Sequence, residues 1–249
     1  MSRRAFDPAV PECMDVAQPV TPALERDLAN LVTLNRVFGS HALVLGHLRP
    51  RLHRRLRPWR ILDLATASGD IPRAIARWAA RAGVPVTIDA VDFQASTLAI
   101  ARRLSTDFPN ITYHEGDIRT FGADDIRDAD FAFRDADSAA WDVVLCSLAL
   151  HHFTEADATG VLRRVAALAS RHALVADLRR CAHGTLGVDL LTATVMREPM
   201  TVTDARMSVR RAFSYEEFAA LARAAGWERF GHARRFCFRQ AMWMDRAFS

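Results

Sequence analysis

With 249 residues, half of them hydrophobic and a quarter charged, the chain suits one α/β domain with short additions and not a disordered or fibrous protein. All 33 cationic side chains are arginine and the net charge is a modest +4, a balance that reads as compositional bias and makes a nucleic-acid partner an unfavoured reading. No apolar run nears the roughly 20 residues needed to cross a bilayer, MSRRAFDPAVPECMD lacks the apolar stretch of a secretory signal, and the four cysteines show no ligand spacing, so a cytoplasmic chain with reduced thiols, no membrane partner and no structural zinc is expected.

Residues 1–20 carry several prolines and no period, which predicts an extended arm. Thr21-Pro22 is a helix start, and Leu24, Leu28, Leu31 and Leu34 recur at helical spacing until Gly39. A second helix is predicted over about 40–56, ending near Pro58. Its end carries the densest basic run, Arg49 to Arg60, read as a solvated helix end, with an acidic substrate, a carrier protein or nucleic acid as the other readings. These helices, with the arm, form a first unit over 1–58 able to act as a lid or substrate wall.

From residue 59 onward the pattern alternates strand and helix, which implies parallel strands joined by crossovers. Strands are expected at 60–64, 86–91, 111–114, 142–146 and 172–177. Helices fall at 71–82, 95–106 and 155–169. Ser214-Tyr-Glu-Glu217 is a capping box opening a helix to Ala225, with Gly226 as its stop. Trp227 to Trp243 reads as two last strands, giving seven in all. Two segments escape the alternation. The acidic stretch 122–140 is read as a solvated loop, and 182–213 as a binding loop or lid. The fold class is therefore α/β, a doubly wound, mostly parallel seven-stranded sheet with N-terminal helices and a lid insertion.

In such a sheet, ligands sit beyond the carboxyl ends of the strands, where the winding reverses. The first of those loops is Asp63-Leu-Ala-Thr-Ala-Ser-Gly-Asp70, whose small residues Ala65, Ala67, Ser68 and Gly69 admit close approach of a ligand. A dinucleotide fingerprint would fall on Ala65, Ala67 and Asp70; none is glycine, and Asp70 puts a carboxylate where a pyrophosphate must dock. The loop suits a phosphate-free, cationic nucleoside instead. Asp92, ending the second strand 23 residues beyond Gly69, can accept from both ribose hydroxyls, with Phe93 beside an adenine ring. Asp117 after the third strand can accept from the adenine amino group while Ile118 covers the ring. The fourth loop, Cys146-Ser-Leu-Ala-Leu-His-His-Phe153, brings Ser147, His151 and His152 to the mouth of the site, where an imidazole can act as a base.

Taken together, ILDLATASGD, AVDFQASTLAIAR, EGDI and WDVVLCSLALHHF resemble the motifs of class I S-adenosylmethionine (SAM)-dependent methyltransferases. The likeness is to the ubiquinone/menaquinone methyltransferase-like group and its relatives acting on small natural products, over about residues 60–180. The resemblance implies a Rossmann-like fold and SAM as cofactor. Its methionine part would be held by Asp63 and by Ala65, Thr66, Ala67, Ser68 and Gly69, its ribose by Asp92, its adenine by Asp117 and Ile118. Two of the family's usual glycines are Ala65 and Ala67 here, tolerable only where φ stays ordinary. The flanks N35-R-V-F-G39 and S208-V-R-R-A-F213 are similar to methyltransferases found beside polyketide-synthesis enzymes. They imply a phenolic or polyketide-type acceptor, with Arg36, Arg210 and Arg211 as its cationic contacts. His152, or failing that His151, is the expected base. No metal is expected, since no acidic set with Asn of the catechol type is evident. The competing readings are C-methylation of a quinone-like ring, methylation of RNA or protein, and SAM binding without catalysis. The oligomeric state is left open.

Overall fold

A computed structural model describes residues 3–126, 141–194, 196 and 198–246. The central strands are built from β-branched and leucine residues buried on both faces, as crossover topology requires. They are β1 (Trp59–Leu64), β2 (Val86–Asp92), β3 (Ile111–Glu115), β4 (Trp141–Ser147) and β5 (Ala169–Leu178). All four pairings among them are parallel. The chain ends in β6 (Gly231–Arg235) and β7 (Arg239–Asp245). The sheet order is β3-β2-β1-β4-β5-β7-β6. The hairpin strand β7 is antiparallel to both β5 and β6, so six strands point one way and one is reversed. The sheet is mostly parallel, as expected, and mixed through that one reversed strand.

Successive side chains along a strand face opposite ways, and both faces are filled. Ile61, Val143 and Leu174 join one apolar cluster, while Leu62, Val144 and Val175 join the other. The first cluster is covered by α2 (Ser40–Leu48), α3 (Asp70–Ala82) and α4 (Ala95–Arg103). The second lies under α5 (Glu155–Leu168) and α8 (Tyr215–Ala224). Leu43, Val44 and Leu48 of α2 share their cluster with Ile61 of β1.

The caps form as their residues dictate. Thr21 accepts from the Leu24 amide at the start of α1 (Pro22–Val37), and Ser214 and Glu217 close a reciprocal capping box. α2 is shorter than the expected 40–56. Pro50 has no amide hydrogen to continue the ladder, and the arginines beyond it are claimed elsewhere. Arg51 pairs with Asp245, Arg55 with Asp142, and Arg54 donates to the Ala82 carbonyl. The basic run is thus largely a set of braces.

The expected loop over 182–213 is instead a helical pair, α6 (Ala182–Thr194) and α7 (Pro199–Arg211). Most of the acidic segment 122–140 lies outside the described residues; Ala123–Asp125 form a single 3-10 turn. Among the described residues no helix is long and apolar enough to cross a membrane.

Candidate active site

Strand order reverses between β1 and β4, and at their carboxyl ends opens a cavity of about 880 Å³. Five non-glycine residues in the described chain have positive φ: Ala65 (59°), Ala67 (48°), Leu148 (58°), Cys237 (49°) and Phe238 (58°). All five line this cavity. Left-handed backbone costs an L-residue about 1–2 kcal/mol, so the strain of the fold is concentrated at one place. The two alanines therefore do not keep ordinary φ. Their turn is tied down instead: the Ala67 amide donates to Asp92 Oδ2 at 2.8 Å, Thr66 N–H to Val91 O at 2.9 Å, and Gly69 N–H to Thr66 O at 2.9 Å. Gly69, with φ of 74°, admits no side chain, since a Cβ there would stand 2.1 Å from the Tyr113 hydroxyl.

The β1 turn is rich in buried acid. Burial, with Asp70 and Asp92 nearby, pushes the Asp63 carboxyl up to about 7. Asp92 is also raised by burial, against the amides of Gln94 and Ala67 that favour its charged form. Asp70 Oδ2 accepts from Asn35 Nδ2 at 3.1 Å and lies 2.7 Å from His41 Nε2, which ties the N-terminal helices to this turn. Such a cluster is short of positive charge. Phe93 lines the cavity with 49% of its surface exposed, Ile118 is buried in its wall, and Ser147 Oγ is buried without a hydrogen-bond partner. Asp117 also lines the cavity; its carboxyl is held low by Arg119, whose guanidinium lies 2.8 Å from Oδ2.

At the other end stand the histidines. Asp177, at the end of β5, accepts from the backbone amides of His151 (2.9 Å) and Leu178 (2.7 Å), and its Oδ1 lies 2.6 Å from His151 Nδ1. A carboxylate accepts, so the hydrogen belongs on Nδ1, and in the neutral ring the lone pair is then on Nε2. This is the orientation a proton acceptor needs. His152 is in a different state. Its Nδ1 is 2.8 Å from Asp15 Oδ1 and its Nε2 is 4.0 Å from Glu12 Oε2. Burial alone would lower its pKa, but Asp15 and Glu12 outweigh that and raise it to about 9.

Those two acids come from the arm, which is pinned across the cavity. Arg4 Nη2 donates to the carbonyls of His151 (3.0 Å) and Phe153 (2.8 Å), and Gln94 Nε2 donates to Met14 and Val16 carbonyls. Asp204 accepts from the amides of Cys13 and Met14. Ser208 donates to Glu12 at 2.6 Å, and the buried Arg211 lies 3.5 Å from Glu12 Oε1. Arg211 also donates to Val10 O.

Arg210 does not share this place. It lies outside the cavity lining and forks onto Asp189 of α6 at 2.7 and 2.9 Å. Arg36 is exposed and likewise outside the lining. Glu12, His151 and His152 form the one group of possible metal ligands among the described residues, with ligating atoms within 4.8 Å of one another. Arg211 already places positive charge against Glu12. The sequence reading missed Glu12, Asp15, Arg4 and Asp177. Only Asp177 left a signal, as an acid closing a predicted strand; the arm acids are joined to the site by tertiary contacts alone.

Residues 61–171 match the family described as methyltransferase domain. No curated protein matches in sequence. Several solved structures are similar in fold. The CurJ carbon methyltransferase is 15% identical over 92% of this chain and 60% of its own, with a TM-score of 0.60. An O-methyltransferase family protein from Burkholderia thailandensis is 17% identical over 90% and 59%, at 0.58. Human N-acetylserotonin methyltransferase in complex with SAM is 15% identical over 91% and 56%, at 0.59. The chain spans less than two thirds of the length of each.

Proposed function

We propose that this enzyme, whose residues 61–171 are a methyltransferase domain, transfers a methyl group from SAM to a small acceptor, most readily the oxygen of a phenol or enol. The observation that carries the reading is one cavity holding a strained, acid-lined turn at one end and the His151–Asp177 pair at the other. The turn suits SAM because it offers carboxyls to a cationic amino acid and sulfonium and would set them against a pyrophosphate. Ser147 adds a buried hydroxyl with no internal partner. In this reading Asp63 and residues 65–69 hold the methionine part, Asp92 the ribose, and Asp117, Ile118 and Phe93 the adenine.

When bound, SAM supplies the methyl group and a neutral thioether as leaving group. The chain supplies alignment and a base. Holding acceptor and donor in line provides much of the rate. His151 Nε2, rather than His152, takes the acceptor's proton, because His152 is already charged through its arm partners. α6 and α7 serve as a lid: Val188, Leu190 and Leu191 of α6 and Val209 of α7 give the acceptor end apolar walls facing Leu31 and Phe38. Such walls suit a planar, ring-bearing acceptor of polyketide type.

Calorimetry with SAM and its demethylated product tests the cofactor, and turnover against a panel of phenols and enolisable ketones tests the acceptor. Purified protein that ignores SAM but binds a pyrophosphate-bearing dinucleotide would overturn the reading. C-methylation of a quinone-like ring is the second reading, since the same base can form an enolate; mass and NMR analysis of the product separates the two.

A further inference from the structure

The arm brings to the cavity two acids that the methyltransferase domain does not supply. Asp15 stands 2.8 Å from His152 Nδ1, whereas Glu12 stands 4.0 Å from Nε2. The first distance makes an ion pair off the line of the ring N–H, since Nδ1 has no hydrogen-bond partner there; the second leaves Nε2 as the nitrogen farther from an acid. Glu12 is otherwise engaged, receiving the Ser208 hydroxyl and lying against Arg211. His152 and His151 stand with ring centroids 4.2 Å apart. Each ring has its Nδ1 beside a carboxylate, hydrogen-bonded to Asp177 for His151 and at ion-pair distance from Asp15 for His152, so Nε2 is in both the nitrogen away from the nearest acid. One ring is thus arranged to accept a proton and its neighbour to donate a hydrogen bond.

Resting on the methyltransferase reading above, we propose that the N-terminal arm is part of the reaction centre, with Asp15 as the positioning residue that holds His152 as the hydrogen-bond donor to the acceptor oxyanion. The acceptor O–H proton moves to His151 Nε2, and its electron pair stays on oxygen. That oxygen, held by His152 Nε2–H, forms the bond to the methyl carbon while the methyl–sulfur bond breaks and its pair remains on sulfur. His151 then gives the proton to water. Placing a donor where negative charge develops is among the strongest devices a site has. Glu12 tethers the arm through Ser208 and Arg211 and adds negative charge facing His152.

The charged groups around His152 come from every packed element: Asp15 and Glu12 from the arm, Arg211 from α7, Asp177 from β5, His151 beside it, and Asp92 at the end of β2. Arg4 of the arm adds a second cation on the flanking His151 and Phe153 carbonyls, but the acids outnumber the two cations, which favours the imidazolium.

The test is the ring titration of His152 by NMR in the SAM-free protein, together with pH–rate profiles. In the parent protein His152 is expected to titrate well above pH 7. Asp15→Asn should lower that midpoint by a pH unit or more and cut kcat about tenfold at pH 8, with SAM affinity by calorimetry unchanged. Asp15→Glu should restore most of both. A parent His152 that titrates near the ordinary imidazole range overturns the proposal, as does an Asp15→Asn protein with an unchanged midpoint and pH profile. Activity lost to a chelator and regained with a divalent metal also overturns it, by making Glu12, His151 and His152 ligands. Failure to bind SAM would count against the methyltransferase reading, whereas the NMR titration reports on the arm alone.

Discussion

At the end of the cavity proposed for the cofactor, each group follows from its own strand: residues 65–69 after β1, Asp92 and Phe93 at the end of β2, Asp117 and Ile118 after β3. The acceptor end is made otherwise. It joins an arm at residues 4–18 to a turn at 151–153 and a helix end at 208–211, through contacts such as Arg4 to the His151 carbonyl, 147 positions apart. The first is a set of local solutions, where a short strand-to-helix turn fixes each group. The second exists only through tertiary contacts. In the proposed reading, cofactor chemistry is thereby written in contiguous motifs, whereas acceptor chemistry depends on a segment whose own sequence gives no sign of its destination.

Removing the base should give the largest effect that sharpens this contrast. His151→Ala, or Asp177→Asn, which removes the carboxylate that fixes its tautomer, is expected to cut kcat by about 10²–10⁴-fold. Calorimetric binding of SAM should stay near the parent value; a parallel loss of SAM affinity would mean that the two ends are not separable. Gly69→Ala attacks the other end. Positive φ and a Cβ 2.1 Å from the Tyr113 hydroxyl should cost about 2–4 kcal/mol of stability, read by denaturant unfolding, and weaken SAM binding.

Arg4→Ala loosens the arm by freeing the His151 and Phe153 carbonyls, while leaving the His151 ring on Asp177 and the β1 turn in place. An acceptor KM raised about tenfold is expected, equivalent to roughly 1.4 kcal/mol, with SAM affinity unchanged. Distant from both ends, His47 and His172 are buried rings whose pKa values burial lowers to about 4. Each is neutral in the folded chain and takes a proton near pH 6.5 when unfolded. Between about pH 6.5 and 4 the unfolded state therefore binds more protons, and stability falls as pH falls. The melting temperature should drop across that window; a flat profile would contradict the assigned states. The smallest effect is expected from Ala65→Gly or Ala67→Gly. Relief of left-handed strain, partly offset by the greater freedom of glycine when unfolded, should raise stability by a few tenths to about 1 kcal/mol, detectable in the unfolding midpoint.

The same contrast explains what was legible in the sequence. Strand and helix alternation located β1 to β5 and most helices within a few residues because their apolar periods are strong. The acid at position 92 stands at the end of its strand as expected, and its link to the Ala67 amide shows a loop-fixing role that spacing alone does not reveal. The reversed β7 went unread, since alternation marks a strand and not its direction. The stretch 182–213 read as a loop because its helices are interrupted by Gly184, Gly187 and Pro199, and it folds into α6 and α7 by packing on each other and the arm. Arg210 and Arg211 are adjacent in sequence yet part company, one onto Asp189 and the other into the arm. Side-by-side positions on a helix face different directions, a difference no motif conveys.

The pinning of the arm sets an order of events as the chain is made. Residues 4–18 leave the ribosome ahead of the sheet, but their anchors at His151, Phe153, Asp204 and Ser208 emerge more than a hundred residues later. Closing so long a loop is entropically slow. The turns after β1, β2 and β3 can therefore form during synthesis, while the arm, offered the Gln94 side-chain amide first, must wait for α7 before it docks in full.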